Sequence, residues 1–193
     1  MKQLLAACAL GAMLAGTAQA ALKEGDTAPA FTAQASLAGK AFGYSLKGAL
    51  AKGPVVVYFY PSAYTNGCNA QAHAFATQID KFAAAGASVV GVSLDSIARL
   101  NDFSADPAYC AGKLPVASDA DGRIAKGFDL NVREAQAGRK DTRGVEIDHG
   151  FTERTTFVVT PDGKVAATIG GLAPGENVDK ALEAVQALAA KAR

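Results

Sequence analysis

The stretch PVVVYFYPSAYTNGCNAQAH, residues 54–73, decides how the fold is read. After Pro54 comes an unbroken β-branched and aromatic run, Val55 to Tyr60. Such a run is expected of a central strand covered on both faces. Pro61 ends it and removes a backbone donor. From Asn69 the period changes: Phe75, Ile79 and Phe82 recur at four and three residues, alanines lie between, and Gly86 follows as a stop. This predicts an amphipathic helix. Cys68 thus falls at a strand-to-helix junction, where unpaired N–H groups and the positive helix end gather and favour a thiolate over a thiol. A buried cysteine acting as a small hydrophobe is the plain alternative. The polar or small neighbours Thr65, Asn66, Gly67 and Asn69 speak against it.

Outward from this junction, Ala87 to Leu94 reads as a second buried strand, and Asp95 or Ser96 can cap a helix carrying Ile97, Leu100 and Phe103. Pro107 should break that helix, which leaves Cys110 on a short helical segment or loop. Leu114 to Ala117 is a short extended piece and Asp121 to Phe128 a short helix. Residues 131–150 are polar and of mixed charge, and read as a solvated loop rather than a binding lid. Arg154–Thr160 and Lys164–Ile169 flank Pro161-Asp162-Gly163, a hairpin signal. A last helix runs from about Asn177 to Lys191. Before the junction, residues 21–52 carry a turn at Gly25–Pro29 and short extended pieces. A strand–helix–strand crossover implies a parallel pair, and the hairpin adds antiparallel edges. The fold class is therefore α/β: a thioredoxin-like central mixed sheet with helices on both faces, in one domain over residues 21–193.

Residues 1–20 stand apart as a signal peptide. Lys2 gives a positive start, Leu4 to Gly16 is apolar but too short to span a bilayer, and Ala18-Gln19-Ala20 has the small-x-small pattern that places cleavage after Ala20. Leu5-Ala6-Ala7-Cys8 resembles a lipoprotein box, but only seven residues precede Cys8, so soluble export to the periplasm is preferred. The chain has 193 residues, half of them hydrophobic, and a formal net charge of +1, which suits a domain with a real core. Nothing in the charge balance points to nucleic acid, and the mature form carries no membrane segment.

Loss of Cys8 with the signal leaves two cysteines, Cys68 and Cys110, and two thiols in an oxidising compartment invite a disulfide. Metal binding is a weak reading, since there is no C-x-x-C and His73 and His149 do not form ligand spacing with the cysteines. Asp119-Ala-Asp121-Gly122 is no EF-hand, because Ile124 and Leu130 stand where glycine and glutamate are required; it reads as a turn or helix cap. Gly170 to Gly175 lacks dinucleotide spacing. His149 reads as a solvated or hydrogen-bonded histidine. Thr65, three residues before Cys68, can turn its hydroxyl towards the sulfur, donating to it and accepting from a substrate, or it can cap the helix. Arg154, at the start of a strand, would place a permanent cation beside the sulfur if that strand lay parallel.

Pro61-x-x-x-Thr65-x-x-Cys68 after a Val/Phe/Tyr strand resembles the active-site motif of the peroxiredoxins, the AhpC/TSA superfamily. Phe59-Tyr60-Pro61 with Gly67-Cys68 is similar to the bacterioferritin-comigratory, or PrxQ, branch. Val90–Asp95, Leu114-Pro115 with Ser118-Asp119-x-Asp121-Gly122, Arg154-x-Thr156-Phe157 and Asp162-Gly163-Lys164 follow in the same order, so the likeness covers nearly all of residues 22–190. The resemblance implies a thiol peroxidase. Cys68 would attack hydrogen peroxide or an organic hydroperoxide and become a sulfenic acid, Thr65 and Arg154 would polarise the peroxide, and Pro61 would limit water. It implies no metal, flavin or haem, and a thioredoxin-like or other thiol reductant as partner. It is compatible with a monomer or a homodimer.

One position departs from the branch. Many members carry a resolving cysteine five residues after the first, and here that residue is His73, which reads as an ordinary helix-surface side chain. Some members place the resolving cysteine in the region of Cys110. In that reading Cys110 forms an intramolecular disulfide with Cys68 after local unwinding of both segments. Two alternatives stay open: a permanent structural Cys68–Cys110 disulfide, or a one-cysteine enzyme with Cys110 as bystander. Absence of C-x-x-C argues against the competing class, a thioredoxin-fold thiol–disulfide exchange or binding module.

Overall fold

The computed structural model describes residues 20–191. The signal-peptide reading, apart from Ala20, lies outside the described residues. In chain order the elements are β1 (Thr32–Leu37), β2 (Lys40–Ser45), α1 (Leu46–Leu50), β3 (Val55–Phe59), α2 (Asn66–Ala84), β4 (Ser88–Ser93), α3 (Ile97–Ala105) and β5 (Val116–Ser118). They continue with α4 (Arg123–Gly127), β6 (Val132–Arg133), β7 (Phe151–Thr152), β8 (Thr155–Val159), β9 (Val165–Gly170) and α5 (Pro174–Lys191). Seven strands form one sheet in the order β2-β1-β5-β4-β3-β8-β9. β4 is parallel to both β3 and β5, and the remaining pairs are antiparallel. The mixed sheet with helices on both faces, as expected, is the architecture of the described residues.

β3 shows why its sequence is apolar without alternation. Val56 and Tyr58 point to one face, where they pack with Phe75 and Phe82 of α2, Leu100 and Phe103 of α3, and Val178 and Val185 of α5. Val55, Val57 and Phe59 point to the other, against Leu46 and Leu50 of α1 and Ala125 of α4. A strand with covers on both sides has no polar face to display. α2 starts three residues earlier than its periodicity implies, with Thr65 as N-cap residue, and Gly86 follows its end at φ 79°.

Three expectations are corrected. β8 is not an edge: only β9 of the hairpin is, because β8 pairs with β3 on its other side. That pairing is antiparallel, not parallel, with Phe59 opposite Thr155. Residues 131–150 are not merely a solvated loop. β6 pairs with β7, Lys140 bridges Glu146, and Asp141 and Ile147 are buried. Most of the stretch is exposed, as read, but Asp141 is drawn inward by Arg99 and by the turn N–H groups of Arg143 and Val145. Cys68 and Cys110 are both free thiols, so the permanent disulfide is not present in this structure.

Candidate active site

Cys68 sits in the first turn of α2, three residues after the N-cap residue, where the first backbone N–H groups have no intrahelical partner. Its side chain is buried among the core residues of the α2 face, yet it reaches the floor of a cleft of about 550 Å³. Pro61, Thr65, Gly67 and Arg154 line this cleft with it, and Arg139 to Thr142 and Phe151 form the facing wall. Four of the five candidate residues therefore converge. The antiparallel register explains Arg154: with Thr155 opposite Phe59, the residue before β8 lies where β3 gives way to the Pro61 turn. Arg154 donates from Nη2 to Cys68 Sγ at 3.5 Å.

The guanidinium is held from behind. Arg154 Nη1 donates to Gln71 Oε1. Gln71 Nε2 donates to Asn177 Oδ1 at 2.9 Å, and Thr156 Oγ1 donates to the same oxygen at 2.5 Å. Asn177 Nδ2 donates to the Ile169 carbonyl at 3.0 Å. Gln71, Asn177 and Thr156 are buried, so the relay is shielded from water and each link is strong. Gly67 makes room for it, since a Cβ there would stand 3.0 Å from Arg154 Nη2.

Thr65 occupies the N-cap position without a side-chain cap. Its hydroxyl donates to the Ser62 carbonyl at 2.9 Å, not to the sulfur. Its single proton is thereby committed and its lone pairs remain to accept from an incoming hydroxyl or hydroperoxide. The loop that carries it is moored by Asp95. Ala63 N–H and Ser93 Oγ–H donate to Oδ2 at 2.8 and 2.7 Å, while Ser62 Oγ–H and Arg99 Nε donate to Oδ1 at 3.0 and 2.8 Å. Arg99 also spans to the Ala63 carbonyl and to Asp141, both at 2.9 Å. Thr142 holds the Tyr64 carbonyl through its N–H and its hydroxyl, and Tyr64 itself has φ 61°. The first helical turn is thus aimed by a buried polar scaffold, and no cap hydrogen bond is needed.

Cys110 lies apart from the cleft lining, buried in the turn after α3 and packed into the same core face. Burial, with a contribution from Asp106, pushes its thiol well above the ordinary cysteine range. His73 is exposed, as expected of a surface residue, but its Nδ1 lies 3.1 Å from the Ala108 carbonyl of that turn.

A cysteine at a helix N-terminus here faces a fixed guanidinium and an acceptor hydroxyl across a half-closed cleft, an arrangement suited to sulfur chemistry on a small polar substrate. Residues 25–168 match the AhpC/TSA family. The chain belongs to this family. It is a peroxiredoxin, a thiol peroxidase. Among its relatives is peroxiredoxin Bcp of Xanthomonas campestris, 30% identical over 133 residues, which span 69% of this chain and 76% of that protein. The crystal structure of peroxidoxin BcpB from Mycobacterium tuberculosis superposes with a TM-score of 0.72 at 30% identity, covering 86% of this chain and 98% of that one. The bacterioferritin comigratory protein of Xanthomonas campestris, described by its alkyl peroxide reduction activity, superposes with a TM-score of 0.67 at 27% identity over 88% and 99% of the two chains. The peroxiredoxin's fold is accordingly thioredoxin-like.

Sequence reading missed the second ring of this peroxiredoxin's site: Gln71, Asn177, Asp95 and Arg99. Gln71 was within reach, because a residue three beyond Cys68 on a helix shares its face. Of the two caps the sequence offers for α3, Asp95 or Ser96, it is Ser96 that takes the role, accepting from Arg99 N–H, which leaves Asp95 to the site. Asp119 behaves as read, accepting from the N–H groups of Ile124 and Ala125 at the start of α4.

Proposed function

We propose that this peroxiredoxin reduces hydrogen peroxide and organic hydroperoxides through Cys68, with Cys110 as the resolving thiol. The observation that carries the reading is the Arg154 guanidinium directed at the Cys68 sulfur from a fixed, buried relay. The Cys68 thiolate attacks one peroxide oxygen and the O–O bond breaks. Sulfur loses two electrons and becomes sulfenic acid, and the departing oxygen takes a proton and leaves as water or alcohol. Arg154 and the first-turn N–H groups stabilise the charge that moves onto the leaving oxygen, and Thr65 accepts from the substrate's O–H. Pro61 narrows access to the sulfur.

In the second half, the Cys110 sulfur attacks the sulfenic sulfur and water leaves, forming the Cys68–Cys110 disulfide. A thioredoxin-like or other thiol reductant then restores both thiols. In this reading the first turn of α2 and the turn after α3 unwind locally, which lets the two sulfurs, both buried in the reduced fold, meet. The cycle runs on protein thiols without a metal, flavin or haem. The signal-peptide pattern supports a periplasmic site of action, cleavage after Ala20 and a periplasmic thiol donor.

Mass spectrometry of the mature protein after one equivalent of peroxide tests this. The expected product in wild type is the Cys68–Cys110 disulfide, and in Cys110→Ser a Cys68 sulfenate that forms but is not resolved. Cys68→Ser should lose peroxide reduction. Full activity in Cys68→Ser rejects the assignment, and normal thioredoxin-linked cycling in Cys110→Ser removes Cys110 from the mechanism.

A further inference from the structure

His149 lies outside the cleft lining and outside every motif of the resemblance, yet its side chain is only 12% exposed. Its Nε2 stands 2.9 Å from Asp95 Oδ1 and its Nδ1 2.7 Å from the Gly150 carbonyl. A carbonyl oxygen only accepts. Asp95 also only accepts, for four other donors converge on its two oxygens and leave no place for a carboxyl proton. Ser62 Oγ also stands 3.4 Å from Nε2, but its proton goes to the nearer Asp95 Oδ1 at 3.0 Å, so both ring nitrogens require a proton.

We propose that His149, held as an imidazolium between these two acceptors, is a positioning residue of the peroxide site that acts through Asp95 on the Ser62–Thr65 loop. The inference rests on the peroxidase reading of Cys68 for its kinetic consequence, but not for the protonation state. The chain of contacts is short: His149 to Asp95, Asp95 to Ser62 Oγ and Ala63 N–H, and the Ser62 carbonyl to the Thr65 hydroxyl. Arg99 faces the same carboxylate from α3 and is itself tied to Asp141, which also pairs with Arg143; Asp148 adjoins His149 on its own segment. Two buried carboxylates are thus matched by Arg99, Arg143 and His149. Loss of the His149 proton leaves one ring lone pair facing an acceptor and removes a charge that Asp95 relies on. The raised basicity of the ring agrees: burial disfavours the imidazolium, but the hydrogen bond and charge of Asp95, with the Gly150 carbonyl, outweigh it.

The test is stopped-flow oxidation of the reduced mature protein by hydrogen peroxide from pH 6 to 9.5, for wild type and His149→Gln, alongside 15N NMR of the wild-type imidazole. The expected spectrum shows a doubly protonated ring at neutral pH, titrating above the ordinary imidazole range. The wild-type rate should fall about tenfold on the alkaline side in step with that titration, the scale of effect expected of a misplaced loop. His149→Gln keeps one N–H for Asp95 but cannot titrate, so its rate should lie below wild type at neutral pH and show no such alkaline fall. A neutral ring at pH 7 overturns the proposal, as does an alkaline fall in the variant that matches wild type. Should the variant fail to fold, co-variation of the wild-type rate with the ring titration decides. If peroxide does not oxidise Cys68 at all, the peroxidase reading fails, and the NMR result still judges the protonation state.

Discussion

The 3.5 Å approach of Arg154 to the Cys68 sulfur depends on a missing atom. Gly67 lies one residue before Cys68 in α2, and an alanine Cβ would press on Arg154 Nη2 at 3.0 Å. Alanine is the better helix former by up to about 1 kcal/mol. Gly67→Ala should therefore leave the urea midpoint unchanged or slightly raised, while kcat/KM for peroxide falls several-fold as the guanidinium moves aside. A parallel loss of stability and activity would show that the glycine serves packing alone. Thr65 makes a similar separation. Thr65→Ser retains an acceptor oxygen and should keep most of the activity, whereas Thr65→Val should lower kcat/KM by about a hundredfold with the fold intact. Steady-state kinetics on the two variants checks this.

Between elements, the site is a joint of α2, β8 and α5. Asn177, in the first turns of α5, takes hydrogen bonds from Gln71 of α2 and Thr156 of β8 on one oxygen and donates to β9 with its nitrogen. Removing it takes this partner from the buried Gln71 amide and Thr156 hydroxyl and from the part-buried Ile169 carbonyl. Asn177→Ala should cost about 2–3 kcal/mol, read from denaturant unfolding. It should also lower peroxide turnover, because Gln71 no longer has a fixed place from which to hold Arg154. Phe75→Ala, on the same helix but facing the aromatic core beside Tyr58, should cost about 3–5 kcal/mol with a smaller effect on rate per unit of stability lost. Comparing the two variants separates relay from packing.

Across the molecule, the scaffold beneath the site makes stability depend on pH from both sides. Burial raises the Asp95 carboxyl, but the His149 hydrogen bond and charge and the Ala63 and Ser93 donors outweigh it, so the net shift is downward. Asp141 behaves likewise: burial opposes its charge, and the N–H groups of Val145 and Arg143, the Arg143 side chain and Arg99 prevail. A carboxylate depressed in the folded state contributes stability above its ordinary range and loses it as pH falls through the depressed value. His149 has the opposite sign. Its contribution is full below the ordinary imidazole range and disappears as pH rises through the elevated folded value. The urea midpoint should therefore be greatest between these limits, from mildly acidic to neutral pH. His149→Gln should flatten the alkaline decline and weaken the acid one only in part, since Asp95 loses the imidazolium that depresses it while Asp141 keeps its own donors. An alkaline decline of equal size in the variant would place its cause elsewhere.

The doubly covered strand at Val55–Phe59, the helix after it and the placing of Cys68 near their junction were legible from Val55 to Gly86, because period and punctuation are local properties. So was the family, through Pro61, Thr65 and Cys68 on one short segment. Strand direction was not: a residue run carries no mark of whether β8 lies parallel or antiparallel to β3, and the antiparallel register brings Arg154 to the sulfur. Nor could composition separate the buried Asp141 and half-buried His149 from their solvated neighbours in the same polar stretch. Partners distant in sequence decide that, since a charge is buried only where other chain segments supply the donors and counter-charges that keep it.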